Sequence, residues 1–196
     1  MRIELNPGDI LVTVNNRKDP LSSIKRWALG SPCDHVFMYL GKVRLIVDPK
    51  QNMTLRFPLF FESNGRGVVI QALSNRYDQK VVVMRLKSEF DRRRIPRILE
   101  EAIKLASAPN SYYDYFAIAR FVLPRLICEK LGIPIPLKYQ RDPAMICSEA
   151  VHEVFYRAKL TEILLPQCIP PMPGDFVTDS PLLELVWEGT LSEDLV

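Results

Sequence analysis

Cysteine and histidine are the residue types in this chain best suited to nucleophilic chemistry near neutral pH, and there are four of the first and two of the second. Cys147 stands in Met145-Ile146-Cys147-Ser148-Glu149-Ala150-Val151-His152, which follows the loop signal Arg141-Asp142-Pro143 and opens an apolar-periodic run to about Tyr156. Pro143 sits where the start of a helix tolerates it, so Cys147 is expected in a first helical turn. Unpaired backbone N–H groups and the positive end of the macrodipole there favour a thiolate over a thiol. Such a sulfur can attack a carbonyl if a base reaches it. His152 is five residues further along, about 140° around the helix, and is aimed elsewhere. His35 is the remaining base, in Asp34-His35-Val36-Phe37-Met38-Tyr39-Leu40-Gly41, an apolar run that reads as a strand. A Cys–His pair is built from neighbours in space and not in sequence, so the separation is no objection.

An imidazole base works better when an acceptor fixes its second nitrogen and steadies the imidazolium. Glu62, closing Phe57-Pro58-Leu59-Phe60-Phe61-Glu62, is the candidate acceptor. Asp34 adjoins His35 but is expected on the opposite strand face, and Asp48, before Pro49, reads as a turn residue. Plain alternatives exist for each: a buried cysteine packs, a strand histidine is satisfied in the core, and a strand-end carboxylate is solvated.

The elements that must position these groups follow from periodicity. Asn6-Pro7-Gly8-Asp9 is a turn delivering the strand Ile10 to Val14, and Ser22 to Leu29 reads as a short helix stopped by Gly30. Alternation puts Cys33, His35, Phe37 and Tyr39 on one strand face and Val36, Met38 and Leu40 on the other. Gly41-Lys42 reads as a hairpin turn into Val43 to Val47. Further strands are expected at Phe57 to Glu62, Val68 to Leu73 and Lys80 to Leu86. Arg92 to Ser107 reads as a helix with Ile95, Leu99, Ala102, Ile103 and Ala106 on its apolar side, closed by Pro109. Tyr112 to Cys128 reads as a helix broken at Pro124, Gly132 to Pro143 as loop, Pro166 to Gly174 as irregular, and Leu182 to Trp187 as a last strand. Strands first and helices after, around one core, mean an α+β fold on an antiparallel sheet.

Composition sets the frame for that fold. With 196 residues, 47% hydrophobic and 25% charged, the chain can bury one good core, and a single domain over 1–196 is expected. A net charge of +3 does not imply nucleic acid. Arg92, Arg93, Arg94 and Arg97, with Arg85 and Lys87 before them, read as a solvated basic face. Cys33, Cys128, Cys147 and Cys168 are scattered without a C-x-x-C pair, so no zinc site, redox motif or other cofactor is called for. Met1 to Ile10 holds no apolar stretch of signal type, and Phe116 to Cys128, interrupted by Arg120, Pro124 and Arg125, is too short to span a bilayer. The expectation is a protein with no transmembrane segment, cytoplasmic as synthesised and virion-associated if phage-encoded.

The order Pro7-Gly8-Asp9-Ile10, then Asp34 to Gly41, then Phe61-Glu62-Ser63 with Gly67-Val68, then Tyr113-Asp114-Tyr115-Phe116, then Ile146-Cys147-Ser148-Glu149 resembles the permuted NlpC/P60 papain-like family, nearest its YiiX/YebB-like cysteine hydrolases of bacteria and phages. Pro173-Gly174-Asp175 followed by Ser180-Pro181 resembles that family's C-terminal segment. The resemblance implies a circularly permuted papain-like fold, with the histidine strand preceding the cysteine helix and the nucleophile at that helix's N-terminus. It places the nucleophile on Cys147, the base on His35 and the polar third member on Glu62. Asp34 departs from the pattern, since serine or threonine is common before the histidine, and Tyr115 falls where aromatic residues shape the pocket in relatives. The activity implied is a thiol-dependent amidase or peptidase on a peptide substrate such as peptidoglycan stem peptides. Two alternatives stand beside it: a lipid acyltransferase or thiol phospholipase, to which the apolar and basic stretch Tyr112 to Lys130 would suit, and a catalytically silent binding or virion component.

Overall fold

Short runs of β-branched and aromatic residues between turn signals form the sheet on which everything else is mounted. A computed structural model describes residues 3–14, 33–48, 53–109, 127–128, 131–132, 145–165 and 171–196, the side chains of 45–48 and 53–54 excepted. The strands are β1 (Ile10–Val14), β2 (Cys33–Asp48), β3 (Met53–Asn64), β4 (Gly67–Ala72), β5 (Lys80–Leu86) and β6 (Leu183–Thr190). They pair in the order β4-β3-β2-β1-β5-β6, antiparallel at every junction. The α-helices that accompany them include α1 (Glu89–Arg92), α2 (Ile95–Ala106), α3 (Cys147–Arg157) and α4 (Asp175–Thr178). The architecture is α+β, as the strand-then-helix order of the sequence implies.

Both faces of the sheet centre are covered, which is why Ile10, Leu11 and Val12 are all apolar and fully buried. On one face Val12, Val36, Met38 and Phe61 pack with Ile98, Ala102 and Leu105 of α2 and with Ala150, Val151, Val154 and Phe155 of α3. On the other, Leu11, Phe37, Tyr39 and Phe60 pack with Leu73, Leu191 and Leu195. The first of these clusters seats α3 against the sheet and so fixes where its N-terminus lies.

Three local expectations are corrected. Gly41-Lys42 is not a turn: β2 runs straight through, with a register irregularity between Tyr39 and Gly41 in its pairing to β3. Gly41 has φ +103°, and a Cβ there would lie 3.1 Å from Pro7 Cγ, so glycine serves a bulge and a close approach at this position. Cys33 joins Val36 and Met38 in the helix-side cluster, because the β1–β2 register skips Asp34, with Thr13 facing His35 and Val14 facing Cys33. The expected helix over 92–107 is two, α1 and α2, since Pro96 is accommodated only in a first turn and α2 restarts one residue before it. Its buried side is Ile98, Ala102 and Leu105, while Ile103 is exposed.

Much of the basic cluster is committed to the fold. Arg85 clamps Asp9 with two hydrogen bonds of 2.7 Å. Arg94 donates to the Lys159 and Ala158 carbonyls at the C-terminus of α3, and Arg92 donates to the Leu86 carbonyl. Arg97 pairs with Glu100 and Glu101 on its own helix. The expected helices at 22–29 and across most of 112–128, and the loop at 133–143, lie outside the described residues. Among the described residues no helix is long and apolar enough to cross a membrane.

Candidate active site

Helix α3 begins at Cys147, the residue that sequence reading placed in a first turn. Ile146 precedes it in extended conformation and has no side-chain oxygen to cap with, so the cap is built from the other direction: Glu149 Oε2 accepts the Ile146 N–H at 2.9 Å. The carboxylate also sits in the first turn, where the helix dipole favours it. Two buried hydroxyls tie this start to its surroundings. Ser63 Oγ of β3 donates to the Met145 carbonyl at 2.6 Å, and Ser148 Oγ donates to the Pro171 carbonyl at 2.7 Å. The chain after Pro171 is held in turn by the Met172 N–H donating to Asp175 Oδ2 at 2.7 Å. The position of the sulfur is therefore set by β3 and by the 171–175 turn as well as by packing.

His35 comes from β2 on the opposite side of the strand from Val36. Skipping Asp34 in the ladder turns that carboxylate aside, where Thr13 Oγ1 donates to Asp34 Oδ1 at 2.5 Å. The imidazole is left to Glu62: His35 Nε2 and Glu62 Oε2 are 2.6 Å apart, and Glu62 is almost wholly buried, with a side-chain exposure of 1%. Asn64 Nδ2 donates to the second oxygen, Oε1, at 2.6 Å. Since Nε2 is engaged by Glu62, Nδ1 is the ring nitrogen available to a thiol. The thiol of Cys147 is within hydrogen-bonding reach of His35, and the backbone N–H groups of Val36 and Ser148 also reach the sulfur. The structure thus brings together Cys147, His35 and Glu62, from α3, β2 and β3.

The electrostatics of the three are mutual. Burial works to lower the imidazole, but the Cys147 thiolate and its hydrogen bond, and then Glu62, more than offset it and hold His35 up to about 9, against an ordinary 6.5. Burial likewise works to raise the Cys147 thiol, and is overcome by the charge and hydrogen bond of His35 and by the Val36 and Ser148 N–H groups, so the thiol lies below its ordinary value. Glu62 is also held low: burial opposes its charge, while His35, Arg76 and Asn64 favour it more strongly. A thiolate–imidazolium pair backed by a carboxylate is an arrangement capable of attacking a carbonyl and returning a proton to a leaving group.

Sequence reading missed Arg76, which follows β4 in a short 3-10 turn (Leu73–Arg76) and bonds Glu62 Oε2. Its guanidinium lies 3.2 Å from His35 Nε2 and 5.7 Å from the ring centroids of both Phe37 and Phe60. No motif announces it; only the packing of the turn beneath β3 brings it in. Ser63, Ser148 and Glu149 were equally unassigned, although Glu149 three residues after Ile146 carries the acidic half of a capping-box signature. Beside Glu62 lies an open cavity of about 620 Å³ with a polar lining that includes Asn64, Arg66, Gln71, Asn75 and Arg76. His152 is buried on α3 with its ring 6.2 Å from that of Tyr156. Tyr115 and Cys168 lie outside the described residues.

No family model and no curated protein sequence matches the chain. Five solved chains match it in structure. One is the metalloprotein YiiX from Escherichia coli O157:H7, also designated DUF1105, at a TM-score of 0.59 and 16% identity, covering 97% of this chain and 100% of that one. Among the described residues no group of three or more His, Cys, Asp or Glu side chains could hold a metal ion. At 16% identity the likeness speaks for backbone architecture, and on that ground the chain has a YiiX-like fold.

Proposed function

We propose that the protein is a thiol-dependent hydrolase of permuted NlpC/P60 papain-like type, with Cys147 as nucleophile, His35 as base and acid, and Glu62 holding the ring. The observation that carries this reading is the 2.6 Å contact of His35 with buried Glu62, with Cys147 at the start of α3 near enough to the same ring for each to shift the other's protonation. His35 holds the proton of Cys147, and the thiolate adds to an amide carbonyl while N–H groups at the start of α3 take up the developing oxyanion charge. Collapse breaks the C–N bond, and the departing amine leaves with the proton from His35. A water molecule, deprotonated by His35, then adds to the thioester and releases the acid, returning the thiol. Peptidoglycan stem peptides are the substrate class that the resemblance to the NlpC/P60 family implies.

A second reading, acyl transfer on a lipid by the same triad, draws support from one surface feature. On the extension of β2 and β3 beyond Gly41, Val43 pairs with Phe57 and both are exposed, with Lys42, Arg44 and Arg56 beside them. Such a mixture suits an anionic lipid surface. Incubation of the purified protein with cell-wall muropeptides and, separately, with phospholipid vesicles, followed by product analysis, separates the two. New amine termini that are absent with Cys147→Ala support the peptidase; released fatty acid supports the lipid reading; no product from either leaves neither standing.

A further inference from the structure

The geometry points to Arg76 as a positioning residue that limits how tightly Glu62 holds the proton on His35. This rests on the triad reading and adds a fourth side chain to it. Glu62 Oε2 is shared: His35 Nε2 approaches it to 2.6 Å, and the Arg76 guanidinium binds the same oxygen. The second carboxylate oxygen is spoken for by Asn64. With both oxygens committed, the carboxylate cannot swing, and one of its two cationic partners is always a competitor of the other. Arg76 is itself fixed, because its guanidinium rests against the Phe37 and Phe60 rings.

The consequence concerns the collapse step that expels the amine. A base that has taken a proton from Cys147 must release it to the leaving group, and a ring held too firmly as imidazolium by a buried carboxylate is slow to do so. A permanent positive charge 3.2 Å from Nε2 works against the imidazolium at the very atom Glu62 stabilises. Among the described residues, the groups that face His35 from the elements packed around it are few. Cys147 comes from α3, Glu62 from β3 and Arg76 from the 73–76 turn, while neighbouring Asp34 accepts from Thr13. Among these Arg76 is the only permanent cation, so its removal moves the ring in one direction.

The test is the titration of the His35 ring by NMR on protein labelled at histidine. The chain has two histidines, and the His35→Gln variant identifies the relevant signal. Arg76→Met, which keeps the aliphatic packing and removes the charge, is expected to raise the His35 midpoint by about one pH unit. Arg76→Lys, which keeps a charge and loses the fork, is expected to return it to within about half a unit of the wild type. Arg76→Gln stands in for the Met variant if that variant does not melt cooperatively. A wild-type midpoint above 6.5 that neither charge-removing variant moves would overturn the role of Arg76 and leave the triad reading intact. A wild-type midpoint at or below 6.5 would overturn the triad reading, and the Arg76 role with it.

Discussion

Replacing Glu62 by glutamine tests the imidazole–carboxylate bond with the least disturbance of shape. The amide can still accept from His35 Nε2, so what is lost is charge and not contact. A hydrogen bond to a charged partner is worth about 1.5–3 kcal/mol and a neutral one about 0.5–1.5 kcal/mol, a difference of roughly 1–1.5 kcal/mol. That corresponds to about a tenfold loss of proton affinity at the ring. Arg76, no longer balanced by a carboxylate and 3.2 Å from Nε2, acts in the same sense. His35, held up to about 9 in the native protein, is therefore expected to titrate at least about one pH unit lower in Glu62→Gln. The ring titration by NMR reads this directly, and the rate of Cys147 alkylation against pH reads it independently as a downward move of the upper limb. The reasoning fails if the ring midpoint in Glu62→Gln coincides with that of the wild type while the variant melts cooperatively.

Two further outcomes follow from the same geometry. Ser63→Ala removes the hydroxyl that ties β3 to the Met145 carbonyl, a buried bond of 2.6 Å; it should cost about 1–2 kcal/mol in chemical denaturation and slow Cys147 alkylation, and a loss of stability with unchanged alkylation would detach this bond from the placement of the sulfur. Stability should also vary less with pH between about 6.5 and 9 in the wild type than in a variant lacking the Cys147 thiol. His35, raised on folding, contributes fully below 6.5 and loses that contribution as pH rises through about 9; Cys147, lowered on folding, loses its contribution as pH falls from its ordinary 9.0 through its depressed value. The two changes oppose each other below 9: the His35 contribution lost as pH rises is offset wherever Cys147 is a thiolate in the folded protein and a thiol in the unfolded chain, so the cancellation rests on Cys147, and at acid pH Glu62 adds a decline as it protonates. Denaturant midpoints across that range in wild type and Cys147→Ser, where the cancellation is removed, measure it; parallel profiles in the two proteins would contradict it.

The sequence makes some of this legible and hides the rest for physical reasons. Cys147 and His35 could be singled out because the chemistry they offer is rare in the chain, and because periodicity alone separates a helix start from a strand. Glu62 could be named only as the carboxylate at a strand end until the resemblance placed it third. Its partner Arg76 could not be foreseen, since a guanidinium on a long stem goes wherever the tertiary packing of Phe37 and Phe60 leaves room. Gly41 misled because the positive φ that suits a hairpin turn suits a bulge equally well. Cys33 fell on the unexpected face because a single skipped residue, Asp34, reverses a period of two. The serines at 63 and 148 carried no local signal at all; their acceptors are carbonyls far away in sequence.

The account turns on whether a proton leaves sulfur for imidazole at neutral pH. The most direct measurement is the ultraviolet thiolate absorbance of the protein, taken as the difference from Cys147→Ser and followed across a pH titration. The account predicts a thiolate signal that persists well below the ordinary thiol value of 9.0 and disappears in His35→Gln. A signal that rises only near 9.0, with or without His35, would contradict it.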